Sequence, residues 1–474
     1  MNAQGERLTV EQVLALAPDA ASRAAGTRLA LPGPWSGTGA CSTGTGGRVL
    51  WGECKGSGGR PYRTVVALAH ADGPAYQCSC PSRKFPCKHA LGLLLLLWAE
   101  GGDAVPEGAG PPEWAASWLD RRRQRADEAA SGRAVDATGG PADPAAARRR
   151  AERRAARMTS GATELEQRLT DLMRGGLAGV RDAGYGQWDE TAARMVDAQA
   201  PGLAARVRDV ASVAGAGGGD WAARLLEECA LLHALNQGFL RVGELPEPLA
   251  ATVRSRVGLT SDAAAVLAAG PLVRDHWLVL AQRDSDDGRL TTRRIWLYGR
   301  GTGRMALLLS YGAAGRAPEL CLPVGMSVDA DLAFPPAARP LRAVLGTRHA
   351  APVACPEPPP GGDTAAALRA YGEAVRDDPW LEAWPVVLAE VTPVPGEGEL
   401  GWQLADASGG SALPVDPRGS GDSLGLWRLA SLSGGAPLRV FGECGHAGFT
   451  PLAAWAPAQL PTLVQTPLPT PVPL

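Results

Sequence analysis

The stretch YQCSCPSRKFPCKHALGLLLLLW (Tyr76–Trp98) decides how the N-terminal part of this chain folds. It holds three of the nine cysteines and one of the six histidines, at Cys78, Cys80, Cys87 and His89, and then runs into five consecutive leucines. In a strand, residues i and i+2 point to the same face, so Cys78 and Cys80 can converge on one ion if this segment is extended. In a regular helix the same spacing turns through about 200°. Cys87 and His89 therefore meet only if Cys87 stands just before a helix and His89 lies in its first turn. The intervening PSRKFP has a proline at each end, as a loop linking a strand to a helix should. Two short arms thus offer three thiolates and one imidazole, a set that favours tetrahedral Zn2+. With four protein ligands the site is of the closed, structural kind, leaving no place for a catalytic water. Four reduced side chains packed without metal are the alternative. Arg83, Lys84 and Lys88 sit where they offset thiolate charge and could also meet phosphate.

Working outward, Leu91 to Leu97 is apolar nearly all round, so the helix from Lys88 is expected to be buried on several sides. Its partners would be the strands read at Val49–Cys54 and Tyr62–Ala69, a third at Tyr76–Cys80, and two short N-terminal helices. Thr9 to Gln12 forms a capping box for the first of these helices, Pro18 ends it, and the second covers Asp19–Ala25. The glycine-rich GTGACSTGTGGR (37–48) lacks the Gly-Lys-Ser/Thr ending of a phosphate loop and reads as a loop beside the zinc module.

A length of 474 residues implies two to four domains, and 60 glycines and 40 prolines imply extensive loops. The reading is an α+β multidomain chain: a small N-terminal zinc-stabilised ββα-type module (1–102), a Pro/Ala/Arg-rich linker (103–160), a helical middle region (161–258) and a β-rich C-terminal half. That half divides into a β-meander (259–355) and a small α+β domain with a proline-rich tail (356–474). The helical region shows apolar spacing near i, i+3, i+4, with Trp221, Leu225, Cys229 and Leu232 on one stripe. Cys229 and His233 read as a core histidine beside a buried thiol. In the linker, RRRQR (121–125) and RRRAERRAAR (148–157) read as a solvated, partly helical segment, with a contact surface for nucleic acid or an acidic partner as the sharper alternative.

A formal net charge of −2 excludes a polycation binding nucleic acid along its whole length, so any such binding must be local. The clustered cysteines point to reduced thiols and metal rather than a disulfide framework. No signal peptide and no membrane span is legible, and a cytoplasmic protein is expected. WGEC (51–54) recurs as FGEC (441–444), and Cys444-x-His446 repeats the Cys-x-His spacing, but a second site would need two ligands from Cys41, Cys54, Cys321 and Cys355. No Ser/His/Asp order is legible, and few histidines remain for general base catalysis.

The run CSCPSRKFPCKH resembles the SWIM zinc finger: Cys-x-Cys, a variable spacer, then Cys-x-His. The flanking LWGECKGSGGRPYRTVVAL and HALGLLLL are similar to bacterial SWIM-domain proteins, so the likeness covers about Trp35 to Trp98. WDETAARMVDAQAPGLAARVRD and RDHWLVLAQR resemble the larger bacterial members. The resemblance implies zinc at Cys78, Cys80, Cys87 and His89, and DNA or protein interaction as the module's work. It also implies a partner role beside MoxR-type AAA+ ATPases and von Willebrand factor A proteins. The sequence thus leads to a zinc-binding interaction protein without catalysis, binding a protein or nucleic acid. An adaptor with purely structural zinc is the alternative, and an enzyme with a site in the C-terminal half a second one.

Overall fold

A computed structural model describes residues 10–17, 20–42, 48–56, 60–69, 73–82, 86–97, 104–108, 110–136, 144–177, 186–216, 220–260, 262–286, 290–313, 318, 320–355, 357–396, 401–416, 423–456 and 472–474. The N-terminal module comprises α1 (Val10–Ala15), α2 (Ala20–Arg28), β1 (Trp35–Ser42), β2 (Arg48–Cys54), β3 (Tyr62–Ala69), β4 (Gly73–Cys78) and α3 (Lys88–Leu96). The four strands form an antiparallel meander in the order β1-β2-β3-β4.

This sheet is covered on both faces, which explains why the consecutive apolar residues Val49, Leu50 and Trp51 of β2 are all buried. Leu50, Cys54 and Val66 face α3, whereas Val49, Trp51, Val65 and Ala67 face the opposite way. Every residue of α3 from His89 to Leu96 is buried. One flank of α3 lies on the sheet, with Leu93 against Gly52, and another on α2. There the two helices touch through glycine: a Cβ on Gly26 would stand 2.7 Å from that of Leu91, and one on Gly92 2.6 Å from that of Leu29. Each buried leucine contributes about 2 kcal/mol of transfer free energy.

The glycine-rich stretch at 37–48, read as a loop, instead supplies β1 over residues 35–42, with 43–47 outside the described residues. The reason is steric: the Trp51 indole lies so close over Gly39 that a Cβ there would be 2.5 Å from Cζ2. Only glycine lets that strand pair beneath the ring.

The expected linker 103–160 is also corrected. Helix α4 (Glu113–Asp136) closes the second face of the sheet with Ala115 and Leu119, and Trp114 and Trp118 pack beside them. The signal was present in EWAASWLD, whose apolar residues recur at i, i+1, i+4 and i+5. Helix α5 (Pro144–Gly175) then runs through the boundary expected at 160 and enters the next core at Met158.

With α5, the helices α6 (Gly186–Asp197), α7 (Pro201–Ala216), α8 (Trp221–Leu240) and α9 (Glu247–Val257) bury one cluster that includes Leu165, Val207, Leu225, Cys229, Leu232 and Val253. Gly202 allows α7 to press on the end of α9, because a Cβ there would overlap the Arg256 carbonyl at 1.8 Å. Cys229 lies on the core stripe as expected. His233 does not: its side chain is half exposed, and Nδ1 is 2.7 Å from Glu166 Oε1.

After α10 (Ala263–Ala269) come β5 (Leu272–Asp286), β6 (Leu290–Gly299), β7 (Met305–Ala313), β8 (Met326–Ala333), β9 (Arg342–Arg348) and β10 (Val353–Ala354). Because β9 pairs with both β7 and β8, strands β8-β5-β6-β7-β9 close on themselves as a small barrel. Alternation along each strand sends Trp277, Val279, Ile295, Leu297 and Leu308 inward, and Leu278, Leu280, Trp296 and Leu307 outward.

The outward residues meet a second sheet, formed by β11 (Ala383–Val394), β12 (Gln403–Asp406), β13 (Ala412–Pro414), β14 (Leu438–Gly445), β15 (Gly448–Trp455) and β16 (Val472–Pro473) in the order β13-β12-β11-β14-β15-β16. Its far face carries α11 (Thr364–Asp377) and α12 (Ser423–Ser433). The described end of the proline tail adds the edge strand β16 to this sheet, where proline is tolerated. Residues 457–471 lie outside the described residues. The boundary read at 355 falls within a shared core, since Cys355 packs with Leu280, Val387 and Trp455 between the two sheets.

The three regions are also joined to one another. Cys321 from the barrel belongs to the core of the N-terminal module, and Tyr76 packs against the same cluster. Arg256 of α9 binds Asp378 at 2.9 and 2.6 Å, and Trp380 Nε1 donates to the Leu231 carbonyl at 3.0 Å. No helix among the described residues is long and apolar enough to cross a membrane.

Candidate metal centre

Cys78 is the last residue of β4, and Cys80 follows in the turn. Cys87 is the extended residue immediately before α3, at φ −74° and ψ 166°, and His89 is the second residue of that helix. The change from extended to helical backbone at Cys87 resolves the i, i+2 problem, because the two side chains leave from different local conformations. The four ligand atoms lie within 4.8 Å of one another. His89 turns Nδ1 toward the sulfurs, 3.7 Å from Cys78 Sγ and 4.0 Å from Cys87 Sγ. A tetrahedral zinc with its usual bond lengths sets donors roughly 3.5–3.8 Å apart, so these residues fit such an ion with small adjustment.

The thiols share protons among themselves. Hydrogen bonds with Cys78 and then Cys87 hold the Cys80 thiol far below the ordinary range. Cys78 is pushed up chiefly by its bond to Cys80, and Cys87 by its bonds to Cys78 and Cys80, with burial adding to both. Three thiolates this close cannot coexist without a compensating cation, which is the electrostatic case for a metal.

Residues around the ligands complete the setting. Thr64, fully buried on β3 and paired across the ladder with Cys78, places Oγ1 3.2 Å from Cys78 Sγ. Tyr62 lays its ring 4.9 Å from that of His89, at an interplanar angle of 40°. Cys54, fully buried, faces the same side, and burial pushes its thiol up, followed by the charge of Cys78. Thr64 and Tyr62 are not singled out by the sequence, and Cys54 reads there only as a possible ligand of a second site. Their role depends on the β2–β3–β4 register, which no local motif carries.

Of the basic residues read beside the ligands, Lys88 is exposed at the first position of α3. Arg83 and Lys84 lie outside the described residues. The second Cys-x-His is not assembled. Cys444 is buried in the sheet core, His446 is exposed in the β14–β15 turn, and Cys41, Cys54, Cys321 and Cys355 are distributed over other cores. Among the described residues, Cys78, Cys80, Cys87 and His89 form the one group of three or more such side chains placed to hold an ion.

Comparison with known proteins agrees with this geometry. Residues 62–97 match the SWIM zinc finger, and residues 153–257 match the SWIM-associated four-helix bundle domain. No curated protein and no solved structure matches the chain. The first match spans β3 to α3 with all four ligands and the second runs from within α5 to the end of α9, so the chain contains a SWIM zinc finger and a SWIM-associated four-helix bundle.

Proposed function

We propose that this protein is a zinc-stabilised interaction protein without catalysis of its own, and that the basic side of its finger contacts DNA. The observation that carries this reading is the placement of Lys88. It is exposed and directly precedes the ligand His89, so the metal fixes the helix end that presents it. Lys55, exposed just after β2, adds to the same module. Between residues 48 and 90 the chain has seven basic and two acidic residues, whereas the whole chain carries −2. A local excess of this kind attracts a polyanion without making the whole protein basic. Four protein ligands leave zinc no open coordination position, which supports a structural rather than catalytic ion. Thiolate ligands persist where thiols are kept reduced, which supports a cytoplasmic location.

The test is titration of the zinc-loaded full chain against a DNA duplex at several salt concentrations. Affinity should fall steeply with salt, and Lys55→Ser with Lys88→Ser should flatten that dependence. A flat response, or no binding at low salt, counts against the DNA reading. Recovery of an AAA+ ATPase with the protein from its native cell would then favour the adaptor role.

A further inference from the structure

We propose that the N-terminal half of α5 is a second DNA-binding element, which engages the phosphates of a duplex through a stripe of arginines. It shares with the preceding reading only the class of partner, because it uses a different surface. Residues 144–157 contain six arginines and one glutamate and precede Met158, which among the described residues is the first of α5 in the bundle core. That is about 21 Å of helix.

The side chains divide by direction. Met158, Ala162 and Leu165 mark the side of α5 that meets the bundle. Arg154 falls on that side too, half-buried, with its guanidinium 3.4 Å from the Gly258 carbonyl at the end of α9. Arg149, Arg153 and Arg157 are exposed and lie four residues apart. At 100° per residue they form a stripe centred about 145° away from the bundle side, with about 6 Å between successive positions along the axis. Arg157 also bonds Gln199 at 3.2 Å, a neutral partner that leaves its charge in place.

Charge complementarity selects the occupant. A stripe of guanidiniums in a protein of net charge −2 meets its match in a duplex carrying one phosphate per about 1.7 Å of axis. The wide major groove of B-form DNA admits an α-helix, whereas the deep, narrow groove of duplex RNA does not.

The experiment uses the full zinc-loaded chain and a duplex of about two helical turns, titrated by fluorescence anisotropy from low to moderate salt. Each phosphate contact contributes a slope of about −0.9 in log affinity against log salt, so Arg149→Ser, Arg153→Ser and Arg157→Ser together should reduce the slope by about 2.7. Affinity at about 0.1 M salt should fall at least tenfold, with melting temperature unchanged because the three side chains are exposed. Replacement of all three by lysine should restore most of the binding, since phosphate contact needs charge rather than a guanidinium fork. Wild-type affinity and slope in the serine variant would overturn the proposal, as would equal affinity for duplex RNA or for a polyglutamate chain. If Lys55→Ser with Lys88→Ser changes nothing while the α5 variant loses binding, the finger reading falls and this one stands. The reverse result has the opposite meaning.

Discussion

Replacement of Thr64 by valine tests whether the finger's second row of contacts tunes the metal. The Thr64 hydroxyl is fully buried and stands 3.2 Å from Cys78 Sγ. Toward a metal-bound thiolate it is a donor, and a hydrogen bond to a charged group contributes about 1.5–3 kcal/mol. Valine keeps the shape and the β-branch, so the strand loses no packing, and the change acts on the ionised sulfur alone. Zinc affinity should therefore fall about 10–100-fold, which is about 1.4–2.7 kcal/mol. The metal-free protein should melt within about a degree of wild type or slightly above it, because valine suits a buried strand position. Competition against a chromophoric chelator reads the affinity, and thermal melts with and without zinc read the stability. Affinity within twofold of wild type would show that the hydroxyl does not serve the thiolate. A metal-free destabilisation as large as the loss in affinity would show instead that Thr64 acts through packing.

Three further outcomes follow from the packing and charge of the rest of the molecule. Gly92→Ala should cost about 1–3 kcal/mol by forcing α3 off Leu29, whereas Gly33→Ala, with nothing within 4 Å of the new Cβ, should leave the denaturation midpoint in place. If both variants unfold alike, the close helix contact is wrong. Arg256→Met should destabilise the protein by about 3–5 kcal/mol, because it strands the nearly buried Asp378 carboxylate; adding Asp378→Leu should recover most of that loss, and a cycle with no recovery would contradict the pairing. Burial holds the Glu228 carboxyl above its ordinary range, with Arg206 opposing. The folded chain then binds that proton more tightly than the unfolded one, so this group's contribution to stability is fully present below about pH 4.3 and is lost as pH rises through the raised value. Glu228→Gln should be more stable than wild type at pH 7 and less dependent on pH above 4; equal stability at pH 7 would refute the sign.

The Cys3His ligand set was legible because its spacing is short and its chemistry is specific. Cys-x-Cys on extended chain and Cys-x-His across a helix start admit few geometries, and the described ligand atoms do converge. The leucine run was legible for a related reason: a helix apolar on every side must be enclosed. Strand β1 was not, since glycine signals a turn unless an indole lies over it, and Trp51 is twelve residues from Gly39 in sequence. Helix α4 was obscured by the arginines that follow its apolar end. Its four packing residues are too few to outweigh that composition until the sheet's second face is seen to need a cover.

By itself, the sequence determined the ligand types, their spacing, the buried helix that carries His89 and the order of helical and β-rich regions. All of these follow from local periodicity and the bonding preferences of sulfur and imidazole. Only the tertiary structure decided that Thr64, Tyr62 and Cys54 surround the ligands, that β8-β5-β6-β7-β9 close into a barrel, and that Arg154 turns toward the bundle while Arg149, Arg153 and Arg157 turn away. These depend on strand register and on which faces remain uncovered, and neither is encoded within any single stretch of the chain.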